Sequence, residues 1–174
     1  MELDFAYYGN PILRQKGKKI DVISDEIRML VEAMVKIMHE HRGIGLAAPQ
    51  VSLSLALFIT EVPLLQEDGS WIEGTLKVYI NPEICEVGDE VDIHSEGCLS
   101  LPGIHADVVR PTKVRVKAKD INGEEFEEIL SGLEARCLLH ENDHINGKLF
   151  IDRVRGDART RLEKKLREIK KKFN

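Results

Sequence analysis

His140-Glu141-Asn142-Asp143-His144 is the stretch of this 174-residue chain whose residue types and spacing could do chemistry. On an α-helix successive residues turn by about 100°, so positions four apart share a face. Two imidazoles so placed can grip one divalent cation. Glu141, between them, projects near the same face, within reach of a water that the cation activates. The chemistry would be metal-assisted hydrolysis. Either histidine alone would read as a satisfied core residue; the pair with a carboxylate between them favours a metal site.

The flanking residues predict the helix independently. Ser131-Gly132-Leu133-Glu134 is an S-x-x-E capping box, in which hydroxyl and carboxylate would each satisfy an orphaned backbone N–H. Asn146-Gly147 supplies a stop. Between them Leu133, Ala135, Cys137, Leu138, Leu139 and Ile145 are apolar on most sides, which places this helix in the middle of the fold.

Two protein ligands are too few, since a catalytic site of this kind takes three and leaves a position for water. No histidine follows His144. Glu163 and Glu168 lie in a run that reads as a solvated basic face. Cys137 shares the stripe of His144 but would have to reach the ion from two turns away. Cys98, in Glu96-Gly97-Cys98-Leu99-Ser100, is the remaining candidate, although alone it would read as a small buried thiol.

Gly43-Ile44-Gly45-Leu46-Ala47-Ala48-Pro49-Gln50, Glu96-Gly97-Cys98-Leu99-Ser100 and the HExxH segment, in this order, resemble the three signature motifs of peptide deformylases. Tyr8 to Arg14 and Gly147 to Arg153 look like the same family, so the similarity spans nearly the whole chain. The resemblance implies that Cys98, His140 and His144 are the metal ligands, with water in the fourth place. It implies that this water attacks the N-formyl carbonyl of a starting methionine on a nascent peptide, releasing formate. Glu141 would be general base, then general acid. The side-chain amide of Gln50 and the backbone N–H of Leu99 would meet the oxyanion, each such donor being typically worth about 2.7–4 kcal/mol. Ile44 and Gly45 would bind substrate, the segment pairing with the peptide main chain as an added strand does. One divalent ion is implied, with Fe2+ native and Zn2+, Ni2+ or Co2+ accepted. Outside that resemblance, Gly43 and Gly45 would simply turn the chain and Gln50 would be a surface amide.

Some positions depart from the family pattern. Leu139 stands where glutamine is usual, Ile145 replaces leucine, Ser52 replaces a glycine, and His105 lies where some members carry arginine. None removes a ligand, the base or an oxyanion donor. Glu96 is a candidate to orient one histidine or tie its loop to the helix. Asp143 points away from the ligand stripe and could pair with Arg110 to pin the helix or lie exposed at the surface.

The elements that must position these groups read as α+β: mostly antiparallel sheets around the HExxH helix, with an N-terminal amphipathic helix and a C-terminal helix. Asp25 to about Arg42 carries Ile27, Leu30, Val31, Met34, Ile37, Met38 and His41 on one stripe. Residues 55–60, 77–80 and 91–94 read as strands. Lys113 to Lys119 alternates cations with Val114, Val116 and Ala118, and turns at Asn122-Gly123 into Phe126 to Leu130. Residues 61–74 are the expected mobile loop. Residues 1–174 are expected to form a single catalytic domain, long enough for a sizeable core.

Net charge is −5, yet residues 157–174 form a basic helix. It could dock on the ribosome, as the resemblance implies, or rest Leu162, Leu166 and Ile169 on the body as a solvated end helix. No apolar span reaches membrane length and no secretory h-region is present, so Met1-Glu2-Leu3-Asp4 is expected to begin the mature fold; three cysteines make no disulfide framework. A cytoplasmic monomer acting on nascent formyl-Met peptides is expected. Two alternatives predict differently. An HExxH peptidase would cleave internal bonds without Cys98 or Gln50, and a non-catalytic RNA-binding module would tolerate Glu141→Ala.

Overall fold

The computed structural model describes residues 1–174. Its first half contains α1 (Asp25–Glu40), β1 (Gly45–Ala47), β2 (Leu57–Thr60), β3 (Leu64–Leu65), β4 (Trp71–Ile72) and β5 (Lys77–Val87). Its second half contains β6 (Val91–Cys98), β7 (Leu101–Pro111), β8 (Lys113–Lys119), β9 (Glu125–Ser131), α2 (Gly132–Ile145) and α3 (Gly156–Phe173). Five strands make one antiparallel sheet in the order β1-β2-β5-β8-β9, while β6 and β7 form a separate long hairpin. The fold class is α+β.

Sequence pattern explains the best-formed parts. In β8 the side chains of Val114, Val116 and Ala118 are buried, as period-two alternation requires. Asp120 closes the turn into β9 by accepting the N–H groups of Asn122 and Glu124, and Gly123 takes φ +81°. Lys117 and Lys119 lie opposite Glu127 and Glu125, and Arg115 donates to Glu127 at 3.0 Å. Opposite charges facing each other across a ladder help fix its register.

Helix α1 starts at Ser24, whose hydroxyl accepts the Ile27 N–H, and carries Asp25 and Glu26 at its positive end. Leu30, Val31, Met34 and Met38 are buried against Leu46, Leu57, Ile59 and Ile80. Helix α2 packs Ala135, Leu138 and Ile145 against Phe58, Tyr79, Val114 and Val116 of the sheet. Its start differs from the expected capping box: the Ser131 side chain makes no cap bond. Glu134 instead accepts the Lys77 ammonium at 3.2 Å, beside Glu128 at 3.1 Å. A tertiary ion pair has displaced the local one. The stop does form, with Asn146 as C-cap and Gly147 at φ +72°.

Three further differences concern strands. Strand β5 runs well past Ile80, across a register shift beside Asn81, whose side chain bonds both backbone groups of Ile20. Strand β7 is not expected from the sequence, because its buried apolar residues Leu101, Ile104 and Val108 fall at i, i+3 and i+7, a helical spacing rather than a strand's period of two. Residues 61–74 are not wholly irregular, since they contain the small β3–β4 hairpin. In α3, Leu166 and Ile169 are buried against Ile104, Val108 and Phe150, with Leu162 packed beside them. No helix is long and apolar enough to cross a membrane.

Candidate metal centre and active site

His140 and His144 project from one face of α2 with ring centroids 5.2 Å apart. The β6–β7 ladder breaks register between Gly97 and Cys98, where the chain turns through Leu99 and Ser100. That break delivers the Cys98 sulfur to 3.3 Å from His144 Nε2. One ligand atom from each of Cys98, His140 and His144 lies within 4.8 Å of the others. Cys137 is outside this group: burial pushes its thiol up, and its sulfur lies 3.6 Å from the Ile44 carbonyl oxygen. Glu163 and Glu168 sit on α3, also outside it.

The electrostatics suit a cation. Burial disfavours charge on His140, yet its bonds to Cys98 and Glu96 outweigh that and raise it to about 10. Burial and the neighbouring His140 charge push His144 well below the usual histidine range. A divalent cation held here would use both rings as neutral donors. A thiolate with two imidazoles matches the donor preferences of first-row divalent metals.

Glu96, 7 % exposed, holds hairpin to helix. It accepts from His140 Nδ1 at 2.8 Å, from Arg110 Nε and Nη2 at 2.7 and 2.9 Å, and from Arg136 Nη1 at 2.7 Å. Burial alone would raise this carboxyl; the bonds from His140 and Arg110 hold it down at about 2. Arg110 also reaches Asp143 at 3.0 Å, where Arg153 donates twice at 2.8 Å. Arg136 extends the network to Asp92 at 2.6 Å. Both halves of the Glu96 expectation and the Arg110–Asp143 pair therefore exist as contacts. Arg136 and Arg153 went unread in the sequence. Arg136 offered one signal, a cation on a mostly apolar helix four residues before His140, on the ligand stripe.

Beside the donors lies a cavity of about 560 Å³, lined among others by Ile44, Gly45, Gln50, Leu99, His140 and Glu141. Glu141 is 4 % exposed and its Oε2 has no hydrogen-bond partner. Burial raises its carboxyl to about 7. Gln50 is buried rather than a surface amide. Its Oε1 accepts the Ala47 N–H at 3.0 Å, so its NH₂ turns toward Ser100 Oγ at 3.2 Å and Cys98 Sγ at 3.5 Å. Gly45 is confined for a reason the sequence does not disclose. A Cβ there would stand 2.7 Å from Glu141 Oε1 and 2.9 Å from Cys137 Sγ. Strand β1 is an edge strand, paired only with β2.

The departures from the family pattern find places too. Ser52 takes the left-handed backbone suited to glycine, at φ +63°, and donates its hydroxyl to the Asp4 carbonyl. Leu139 packs against the sheet core and Ile145 is buried within it. His105 lies over Gly97, where a Cβ would come within 2.8 Å of its ring.

A Cys/His/His donor set beside an unpaired buried carboxylate, on an α+β frame, defines a metallohydrolase. Comparison with known proteins names the kind. The sequence profile described as Polypeptide deformylase matches residues 3–160. A peptide deformylase from Stutzerimonas stutzeri is 44% identical over 167 residues, 96% of this chain and 95% of that protein. One from Pseudomonas aeruginosa is 42% identical over 94% of each chain. Among solved structures, a plant peptide deformylase, PDF1B, superposes with a TM-score of 0.90 at 40% identity, covering 99% of this chain and 91% of that one. The Plasmodium falciparum peptide deformylase gives 0.88 at 35% identity, covering 98% and 96%. The chain belongs to the polypeptide deformylase family. It is a metal-dependent hydrolase that removes the N-formyl group from nascent polypeptides.

Proposed function

We propose that Cys98, His140 and His144 hold the metal and that Glu141 moves the proton in deformylation. The carrying observation is the convergence of those three donors beside a buried carboxylate that no protein group satisfies. When bound, the ion supplies Lewis acidity that lets water ionise near neutral pH. Glu141 accepts the proton of the attacking water and passes it to the leaving amine nitrogen. A carboxyl raised to about 7 suits both directions of that transfer. The Gln50 amide, aimed by Ala47 and Ser100, donates to the formyl oxygen as charge develops, together with the Leu99 N–H. Ile44 lines the methionine pocket, and Gly45 offers its backbone on the free edge of β1 to the peptide main chain. Helix α2 would be the metal-holding element about which the sheets are arranged, and residues 1–174 a single catalytic domain.

Ferrous iron is the proposed native ion, with zinc, nickel or cobalt able to take its place; a thiolate among the donors suits each of them. The free thiols of Cys85, Cys98 and Cys137 suit a reducing cytoplasm. A monomer suffices, since all the donors come from one chain. The basic face of α3 would dock on ribosomal RNA, with Leu166 and Ile169 anchoring the opposite face.

Formate release from formyl-Met-Ala-Ser, set against acetyl-Met-Ala-Ser, tests the reaction. After anaerobic purification with metal analysis, formate should appear from the first peptide only and stop on chelation. Equal turnover of both peptides, or full activity after substitution of Cys98 by Ala, would overturn the proposal.

A further inference from the structure

None of the proposed ligands or acid–base groups comes from Gly147 to Arg153, the segment that follows α2. It ends in one 3-10 turn, Phe150–Arg153, and side chains anchor that turn on two sides. Asp152 accepts the Leu149 N–H at 2.9 Å and two N–H groups of Arg14 at 2.6 and 3.1 Å. Arg153 donates twice to Asp143 of α2, both at 2.8 Å. The turn is thus bolted to the N-terminal segment and to the helix that carries both histidines.

Phe150, at the start of this turn, is 1% exposed and faces His140, with ring centroids 5.9 Å apart and planes inclined by 24°. That is an offset stack, within the range where aromatic rings attract. Leu101, Ile104 and Val108 back the phenyl ring in one core cluster, against which Cys98 also packs. His140 donates from Nδ1 to Glu96 at 2.8 Å, so Nε2 is the ring nitrogen left for a metal. One bond at a corner of the imidazole fixes that corner and leaves the ring free to rock about the bond. The Nε2 lone pair lies in the ring plane, and rocking would swing it off an ion. A flat, buried phenyl ring opposes the motion, because tilting closes on it from one side and opens a void on the other.

We infer, on the reading of His140 as a metal ligand, that Phe150 is a positioning residue for the metal centre. Glu96 holds one corner of the imidazole, and Phe150 sets the plane in which its Nε2 lone pair points.

The cobalt-loaded full chain tests this, since the visible bands of bound cobalt follow ligand geometry. Phe150→Leu keeps an apolar side chain and removes the flat face. Its bands should shift, and it should lose cobalt to a chelator about tenfold faster or more. Phe150→Met should behave alike and replaces it if the leucine variant does not fold. Leu166→Ala opens the same core cluster from α3, so it should lower the melting temperature and leave bands and cobalt loss unchanged. In metal-free protein the His140 Nδ1 proton, followed by nitrogen-15 resonance, should exchange with solvent about three- to tenfold faster in Phe150→Leu only. Unchanged bands, cobalt loss and proton exchange in the Phe150 variants, or equal changes in Leu166→Ala, would overturn the inference. If the unsubstituted chain takes up no cobalt, the ligand assignment falls instead, and proton exchange still decides whether Phe150 holds the ring.

Discussion

Glu141 is the residue on which rate should depend most steeply. It is buried and has no hydrogen-bond donor at Oε2, so replacing it by glutamine removes a base without breaking a structural bond. Glu141→Gln is expected to lower kcat by roughly 10²–10⁴-fold, with metal content by elemental analysis unchanged. The carboxyl, raised to about 7, is ionised above that value and protonated below it. The kcat/KM profile should therefore fall as pH drops through about 7, and a flat profile across that range would remove Glu141 as the base. Glu96 behaves in the opposite sense. Its carboxyl is held at about 2 in the folded chain, below its unfolded value near 4.5. Its stabilisation, about 3 kcal/mol by linkage, is present above the unfolded value and disappears as pH falls toward 2. Acid melts of Glu96→Gln should lose this part of the pH dependence.

Among the elements, the contact of β1 with α2 decides how the base is seated. Gly45→Ala would put a methyl group 2.7 Å from Glu141 Oε1. The expected result is a loss of kcat of about tenfold or more, with destabilisation of about 1–3 kcal/mol from overpacking, read by thermal melting. Equal activity in the alanine variant would mean that Glu141 has room to spare. This contact also marks what the sequence discloses. Strands β8 and β9 are legible because alternation and an Asn-Gly turn are local signals, and the stripe over α1 is legible for the same reason. His140 and His144 are legible as a pair because helical spacing alone brings them together. Cys98 emerges only as the remaining candidate, which the family resemblance then singles out, since its delivery depends on a register break in a hairpin whose second strand spaces its buried apolar residues by three and four rather than two. Gly45 is the subtler case. Its residue type suggests freedom of the backbone, whereas the fold uses it as space for a carboxylate almost a hundred residues away. The failed capping box at Ser131 teaches the converse, for a local signal yielded to Lys77 arriving from another strand.

At the scale of the molecule, charge is unevenly placed. The chain carries −5 overall, yet α3 holds eight Lys and Arg against three Asp and Glu. Truncating α3 would strip Leu166 and Ile169 from the core, so charge reversal is the cleaner probe. Changing the exposed Lys164, Lys165 and Lys171 to Glu should weaken cosedimentation with ribosomes and its salt dependence, while peptide turnover stays as it was. Unchanged cosedimentation would reject docking by this helix. The arginines of the interior have a different consequence. Hairpin and helix are already clasped by Glu96, Arg110, Arg136 and Asp143, none of which belongs to the proposed donor set. The socket is therefore assembled by the scaffold before it is filled. Its occupant can be exchanged like a bulb in a fixture: stripped protein should keep its circular dichroism spectrum, and nickel or cobalt should restore turnover on simple mixing, with no refolding step.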